Sequence, residues 1–324
     1  MRSNTLPDVR PTRAMNRGTY TAALDITVLA GGPGAERDVS LAGGQAVWEA
    51  LCRCGHRAVL CDIGPGRLSA LDQPADFVFI VLHGEFGEDG DVQSELDRRG
   101  LSYCGSGADA SRLAMDKVLA KERFELAGIP TPPFEVVDRR TLPELWNRFP
   151  VPAVVKPVSS GSSVDTVIVK CPDDLQANAT ALVAKYGRAL VERCIVGPEL
   201  TVGVLGGRAL PVCEIRTRRD FYDYQAKYVD DDTQYVFDID LPAALLRRVQ
   251  DLSLAAHRAL GCDVFSRVDC MIDAAAGEPF ILEVNTIPGF TGHSLLPKAA
   301  ARIGLNFDQL CQRIVDLSLA KGPI

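Results

Sequence analysis

Histidine and tryptophan are scarce: four and two in 324 residues, beside four methionines. The ten cysteines include no CxxC pair, and none stands at zinc spacing with a histidine. That excludes a zinc finger or a dithiol redox centre, which need closely spaced soft ligands. No run approaches the ~18 apolar residues of a membrane-spanning helix. No GxxxxGK[ST] occurs, so a P-loop NTPase is excluded. An excess of basic charge is missing too, since the formal net charge is −7. A mildly acidic surface argues against nucleic-acid binding, because phosphate contacts need clustered Lys and Arg.

What remains is globular: 47% hydrophobic and 24% charged, long enough for two or three domains with their own cores. The leading stretch "MRSNTLPDVRPTRAMNRGTYTAA" is polar and basic and lacks an apolar h-region. Residues 1–23 are therefore expected to form a disordered extension and not a secretory signal. Most cysteines fall inside apolar runs such as "LPVCEI" and "VDCMID". They are expected to be buried free thiols in a reducing cytosol.

"LDITVLAGG" reads as a buried strand entering a Gly-rich turn, and "SLAGGQAVWEALCRCG" as a helix with Ser40 near its start. "ADFVFIVLHG" is a second buried strand, followed by the loop "HGEFGEDG" and the helix "DVQSELDRRG". Strand, loop and helix in repetition predict a parallel sheet with binding loops at the strand C-termini. "DASRLAMDKVLAKERFELAG" reads as one strong helix, and "IPTPPF" as a connector. From Pro150 onward the pattern changes to short β runs joined by tight loops, which reads as α+β.

"GGPGAER" follows a strand but fails the dinucleotide pattern GxGxxG, because Arg37 stands where glycine is needed. The paired runs "SRVDCMID" and "ILEVN" carry more information. Residues two apart share a strand face, so Arg267 goes with Asp269 and Glu283 with Asn285. A hairpin about Ala276 puts Asp269 opposite Glu283 and Arg267 opposite Asn285. Facing carboxylates repel, and a cation between them would remove the penalty. Oxygen donors without imidazole or thiolate suit Mg²⁺; the alternative is a solvated sheet face with an Arg–Asp pair. "VVKPVSSGSSVDTVIVK" sets a Ser/Gly-rich loop between β-branched runs, with Lys156 at its base. It reads equally as a hairpin turn or as a flap around phosphate. "FYDYQAKYVDDDTQYVF" is either a solvated loop or a lid bearing tyrosines and a lysine.

Nine stretches in the same order resemble the D-alanine–D-alanine ligases of the ATP-grasp superfamily. They are "AERDVSL", "HGEFGEDG", "YCGSG", "MDK", "VVKP…GSSV", "VERCIVGPELTV", "FYDYQAKY", "RVDCMID" and "EVNTIPGFTGHSLLP". The likeness runs from about Leu24 to Leu319. It implies an α/β fold, α+β overall, of three domains: a Rossmann-like parallel sheet at 24–116, a central ATP-grasp domain at 117–199 and a C-terminal one at 200–324. ATP would lie between the two antiparallel domains. Lys117 and Lys156 would contact its phosphates and Lys227 its γ-phosphate. Glu192, Glu199, Phe221 and the backbone at Ile195 would hold adenine and ribose. Asp269, Glu283 and Asn285 would bind two Mg²⁺ ions, for which Mn²⁺ could substitute. Glu36 would take the ammonium of the first D-alanine, with His83 nearby. Ser162 and Tyr228, linked to Glu36, would close the flap and the lid. Ser294 and the backbone at Leu295 would take the carboxylate of the second D-alanine. Arg267 and the Gly289 N–H would stabilise the oxyanion.

The resemblance further implies a cytoplasmic homodimer that makes D-alanyl-D-alanine for peptidoglycan, with no nucleic-acid or membrane partner. The alternatives are a D-serine or D-lactate acceptor, or a nucleotide-binding paralogue without catalysis. Tyr228 goes with an amino-acid acceptor in this family. Two places depart from the family pattern: the flap reads GSSVD where GSSVG is usual, and "DVQS" carries Asp91 and Ser94 where Thr and Gly are usual. A carboxylate ~4 Å from a phosphate charge costs about 4 kcal/mol at an effective dielectric of 20. Asp165 is therefore expected to turn away from the nucleotide, toward solvent or a Lys or Arg.

Overall fold

Alternating buried runs and glycine turns build the first sheet of the computed structural model, which describes residues 22–145, 148–161, 163–217 and 233–321. Strands β1 (Asp25–Gly31), β2 (Arg57–Ile63) and β3 (Phe77–Ile80) pair in parallel in the order β2-β1-β3. Helix α1 (Arg37–Arg53) links the first two. It starts three residues before Ser40, because Glu36 already occupies the cap position. Gly44 brings α1 close to β1: a Cβ there would lie 2.5 Å from that of Ala30. This contact explains a glycine that otherwise weakens a helix. Strand β2 is not foreseen from the sequence; it is an edge strand, and its exposed Arg57, Val59 and Asp62 blur the apolar run.

Helix α2 (Asp91–Arg99) lies as expected. The single helix expected over residues 109–128 is two, α3 (Ala108–Met115) and α4 (Lys117–Leu126). Asp116 breaks it: its backbone is extended, and its side chain accepts hydrogen bonds from the N–H groups of Val118 and Leu119. An aspartate N-cap satisfies donors that a new helix leaves open. Lys117 thereby becomes the first residue of α4.

The second sheet contains β4 (Phe134–Asp138), β5 (Ala153–Lys156), β6 (Val167–Val169) and β7 (Arg188–Arg193), antiparallel in the order β4-β7-β5-β6. Helices α5 (Leu142–Leu145) and α6 (Pro172–Tyr186) cover it through a core that includes Leu145, Val155, Leu175 and Val191.

The third sheet runs β11-β10-β8-β12-β13, from β8 (Glu199–Leu205), β10 (Cys213–Arg216), β11 (Gln234–Val236), β12 (Phe265–Asp273) and β13 (Glu278–Asn285), with β9 (Arg208–Ala209) paired to β8. Helix α7 (Ala243–Ala259) packs on it. Two more helices, α8 (Leu295–Ala301) and α9 (Phe307–Leu319), return to the first sheet. There Leu310, Ile314 and Val315 join its core, and Arg53 ion-pairs with Asp308 at 2.7 Å. All ten cysteines are free, as expected, but only five are buried; Cys52 is exposed and the rest are half-buried. None of the described helices is long and apolar enough to cross a membrane.

Candidate active site

Antiparallel pairing of β12 with β13 places Arg267 opposite Asn285 and Asp269 opposite Glu283, the register expected from the sequence. Toward the turn the register shifts by one, because Leu282 is an unpaired bulge residue between Asp269↔Glu283 and Cys270↔Ile281. The bulge brings Leu282 and Glu283 to the same face, so both line one cleft.

That cleft, about 740 Å³, separates the second and third sheets. Lys156, Ser160, Thr166 and Ile168 line it from one side, and Asp269, Met271, Leu282 and Glu283 from the other. The connection through Ile195 and Pro198 to Glu199 forms its back. A second pocket of about 50 Å³ lies at the far end of the same hairpin. Glu36, His83, Glu88, Arg267, Asn285, Gly289, Ser294 and Leu295 line it. Gly161 reaches it from the flap; a Cβ there would stand 3.1 Å from Glu36 Oε2.

Lys117 donates its Nζ to the Ser160 carbonyl at 2.7 Å and lies 3.3 Å from Glu283 Oε2. It fastens the near leg of the flap to the carboxylate edge. Lys156 is buried and ion-paired with Glu192. Glu192 pairs on its other oxygen with Lys121, 2.8 Å away, whose ammonium also donates to Thr131 Oγ1 at 2.7 Å. Burial opposes charge on Glu192, but the two lysines outweigh it and hold its carboxyl below the usual range. Lys121 is pulled down to about 8 by burial, against the opposing lift from Glu192. Sequence reasoning missed Lys121, although it stands four residues after Lys117 and so on the same helix face.

Asp269 is densely held. Arg267 forks onto it at 2.9 and 2.7 Å, Thr201 donates at 2.6 Å, and Asn285 donates at 3.1 Å. Arg267 thus sits between the carboxylates and the small pocket. The described residues hold no cluster of three His, Cys, Asp or Glu able to cage a metal. The donor set still fits Mg²⁺, which takes one or two carboxylates and completes its shell with phosphate oxygens and water. Lys117 lying against Glu283 shows that this edge draws positive charge.

Burial lowers the pKa of His83, with Glu36 opposing, and its Nε2 has no hydrogen-bond partner among the described residues. Glu88, in the loop "HGEFGEDG", also lines the small pocket, and sequence reasoning missed it. Burial and then Glu36 raise its carboxyl to about 8, although the Gly84 N–H donates to it at 2.8 Å. Ser294 Oγ accepts from the Thr291 N–H at 2.9 Å, and a Cβ at Gly289 would stand 2.5 Å from that oxygen. Phe290, fully buried, plugs this turn between the sheets, edge-on to Phe79 and Phe265 at 5.5 and 5.8 Å. Asp165 behaves as expected: it has φ +54° and accepts from Lys185 Nζ at 2.6 Å and from the Tyr186 hydroxyl. Asp91 and Ser94 lie on α2 and line neither cavity. Ser162, Phe221, Lys227 and Tyr228 lie outside the described residues.

Residues 124–316 match the family described as D-ala D-ala ligase C-terminus. The D-alanine--D-alanine ligase of Citrifermentans bemidjiense is 44% identical over 299 residues, covering 91% of this chain and 96% of that one. The chain belongs to the D-alanine–D-alanine ligase family. The Bacillus anthracis D-alanine--D-alanine ligase superposes with a TM-score of 0.83 at 36% identity, covering 92% of this chain and 98% of that one. A structure of that ligase complexed with ATP gives a TM-score of 0.79 at 32% identity, with the same coverage. The VanG D-Ala:D-Ser ligase from Enterococcus faecalis gives 0.81 at 28% identity, covering 92% of this chain and all of that one. Backbone likeness therefore does not separate the two acceptors. The fold is that of the ligase family, ATP-grasp, and its described residues form one parallel and two antiparallel sheets.

Proposed function

We propose that cleft and pocket carry out one reaction, the ATP-dependent ligation of two D-alanines to D-alanyl-D-alanine through a D-alanyl phosphate, for peptidoglycan precursor synthesis. One observation carries this reading. Asp269 and Glu283 line the cleft, while Arg267 and Asn285, two positions along the same strands, line the pocket. Two strand residues span about 7 Å, short enough for the phosphate end of a nucleotide in the cleft to meet an amino acid held in the pocket. On this reading residues 24–116 and 200–324 enclose the amino acids, and 117–199 closes over the nucleotide.

A carboxylate is a poor electrophile at neutral pH. Attack of its oxygen on the γ-phosphorus of ATP makes an acyl phosphate and releases ADP. Lys117 and Lys156 draw the phosphates into line, with Lys227 at the γ-phosphate. Glu192, Glu199, Phe221 and the Ile195 backbone hold adenine and ribose. Asp269, Glu283 and Asn285 would hold Mg²⁺, two ions in all or Mn²⁺ in their place, which offsets the charge of phosphoryl transfer. Glu36 binds the first ammonium beside a neutral His83. Ser294 and the Leu295 N–H bind the second carboxylate. The neutral amine of the second D-alanine then attacks the acyl carbon; the C–N bond forms and phosphate leaves. Arg267 and the Gly289 N–H receive the developing oxyanion. Water would hydrolyse the acyl phosphate, and the flap, joined by Ser162 and Tyr228, excludes it. The assembly on this reading is a cytoplasmic homodimer, which light scattering on the purified chain tests for subunit number.

The deciding assay measures phosphate release from ATP with single D-amino or D-hydroxy acids and with pairs. Phosphate should appear with D-alanine and Mg²⁺, and the product should be the dipeptide. Turnover only with a D-serine or D-lactate acceptor would replace this product with the related one. No phosphate with any acceptor would remove the reading.

A further inference from the structure

The described residues of the flap, 157–161 and 163–166, form a wall common to both cavities: Ser160 and Thr166 line the cleft and Gly161 lines the pocket. Its near leg is fixed twice by Lys117, through Nζ to the Ser160 carbonyl at 2.7 Å and through the Lys117 N–H to the Val158 carbonyl at 3.0 Å. The far leg is made of two tight turns. Val164 N–H bonds the Gly161 carbonyl and Thr166 N–H bonds the Ser163 carbonyl, both at 3.2 Å. Ser163 and Asp165 both have positive φ, +56° and +54°. Side chains with a Cβ resist that region, so something must hold it. Lys185 and Tyr186 do so from the last turn of α6, both donating to Asp165 Oδ2, while the Lys185 ammonium lies 5.0 Å from the Tyr186 ring centroid.

We propose that Asp165 is a positioning residue for the ligation: it fastens the far leg of the flap to the end of α6 and so keeps the wall shut against water. This rests on the functional reading above. The carboxylate faces away from the cleft, so its part in the reaction is to limit flap opening and not to bind nucleotide. Lys185 and Asp165 keep 60% and 33% of their side-chain exposure. The bond is therefore a weak one, worth about a two- to fivefold change in an opening equilibrium.

The test uses the whole chain with D165G, K185M and the double variant. D165G keeps the backbone conformation accessible, and K185M leaves the flap sequence intact. In the protein without substrate, hydrogen exchange of the 163–166 amides should speed up by about two- to fivefold in each single variant and no further in the double. In turnover, each single variant should raise phosphate released per dipeptide formed by a similar factor, with KM for ATP within about twofold of wild type. Unchanged exchange in K185M, or effects that add in the double variant, would overturn the anchor. So would a large fall in KM for ATP in D165G, which would mean the carboxylate repels the nucleotide. The exchange measurement needs no substrate. It decides the anchor even where the ligation assay yields no product, a result that would count against the functional reading instead.

Discussion

Lys121 and Glu192 allow the sharpest test of the physics in this site. Lys121 is fully buried, 2.8 Å from Glu192 Oε2, and Glu192 also pairs with Lys156. Counting contacts makes Lys121 a stabiliser, since breaking a buried ion pair costs about 3–5 kcal/mol. Its pKa argues the opposite. Burial, against the opposing lift from Glu192, takes it from 10.5 to about 8. At about 1.4 kcal/mol for each tenfold, holding the ammonium in the fold at pH 7 costs about 3 kcal/mol. Burial is the main cause, and Lys156 adds to it, since two ammoniums share one carboxylate.

Lys121→Met keeps the length of the side chain and removes that charge. Stability at pH 7 should hold or rise by up to about 3 kcal/mol. Glu192 keeps Lys156 as its partner, so it is not left alone. Glu192→Gln instead leaves two ammoniums facing each other and should cost about 3–5 kcal/mol. The pH dependence has a definite sign. The folded pKa of Lys121 lies below the unfolded one, so the unfolded chain binds the proton more tightly between about 8 and 10.5, and stability rises with pH across that window. Urea unfolding at pH 7 and 9.5 should show the rise in wild type and its loss in K121M. K121M should also raise KM for ATP, because Lys121 then serves to hold Glu192 in line with Lys156. A loss of about 3 kcal/mol in K121M beside a smaller loss in E192Q would refute the reasoning.

Glu283→Gln should lower kcat/KM by at least about a hundredfold while the urea midpoint stays put, because it removes a proposed metal ligand and no core contact. Near-normal activity at low Mg²⁺ would make that assignment wrong. Gly289→Ala should lower kcat/KM by about a hundredfold, the scale of a misplacement of about 1 Å, because its Cβ would stand 2.5 Å from Ser294 Oγ; steady-state kinetics with D-alanine varied checks this. Glu88 has a folded pKa raised to about 8, from 4.5, by burial and then Glu36, so wild type loses stability as pH rises across that range. Glu88→Gln removes the titration, and thermal melts should find it equal to wild type at pH 4 and more stable at pH 9.

The parts of the site legible in the sequence obey short-range rules. A period of two and a tight turn placed Asp269 opposite Glu283, and strand–helix alternation gave the parallel sheet. The Coulomb cost of a carboxylate near phosphate turned Asp165 away, but its partners were out of reach: Lys185 and Tyr186 come 20 and 21 residues later, set by where α6 ends. The split at Asp116 was present as an N-cap letter inside a strong helical pattern, and the pattern masked it. Phe290 gave no signal, because its worth depends on Phe79 and Phe265 arriving from two other strands.

The bulge at Leu282 explains how one hairpin face can serve both cavities. Strict alternation from Glu283 would carry Ile281 onto the site face and Leu282 into the core. The bulge reverses this: Ile281 is fully buried, and Leu282 lines the cleft beside Glu283. Moving along that face from the turn, Met271 and Leu282 give an apolar floor, Asp269 and Glu283 a charged middle, and Arg267 with Asn285 a polar end inside the small pocket. On the proposed function, a nucleotide would set its base on the apolar floor and its phosphates beside the charged middle, where Lys117 lies against Glu283. Because β12 is also paired along its length to β8, the three zones are fixed by backbone hydrogen bonds on both sides. The site's order is therefore set by sheet register, and only its covers, the flap above all, are left to weak and adjustable contacts such as the one at Asp165.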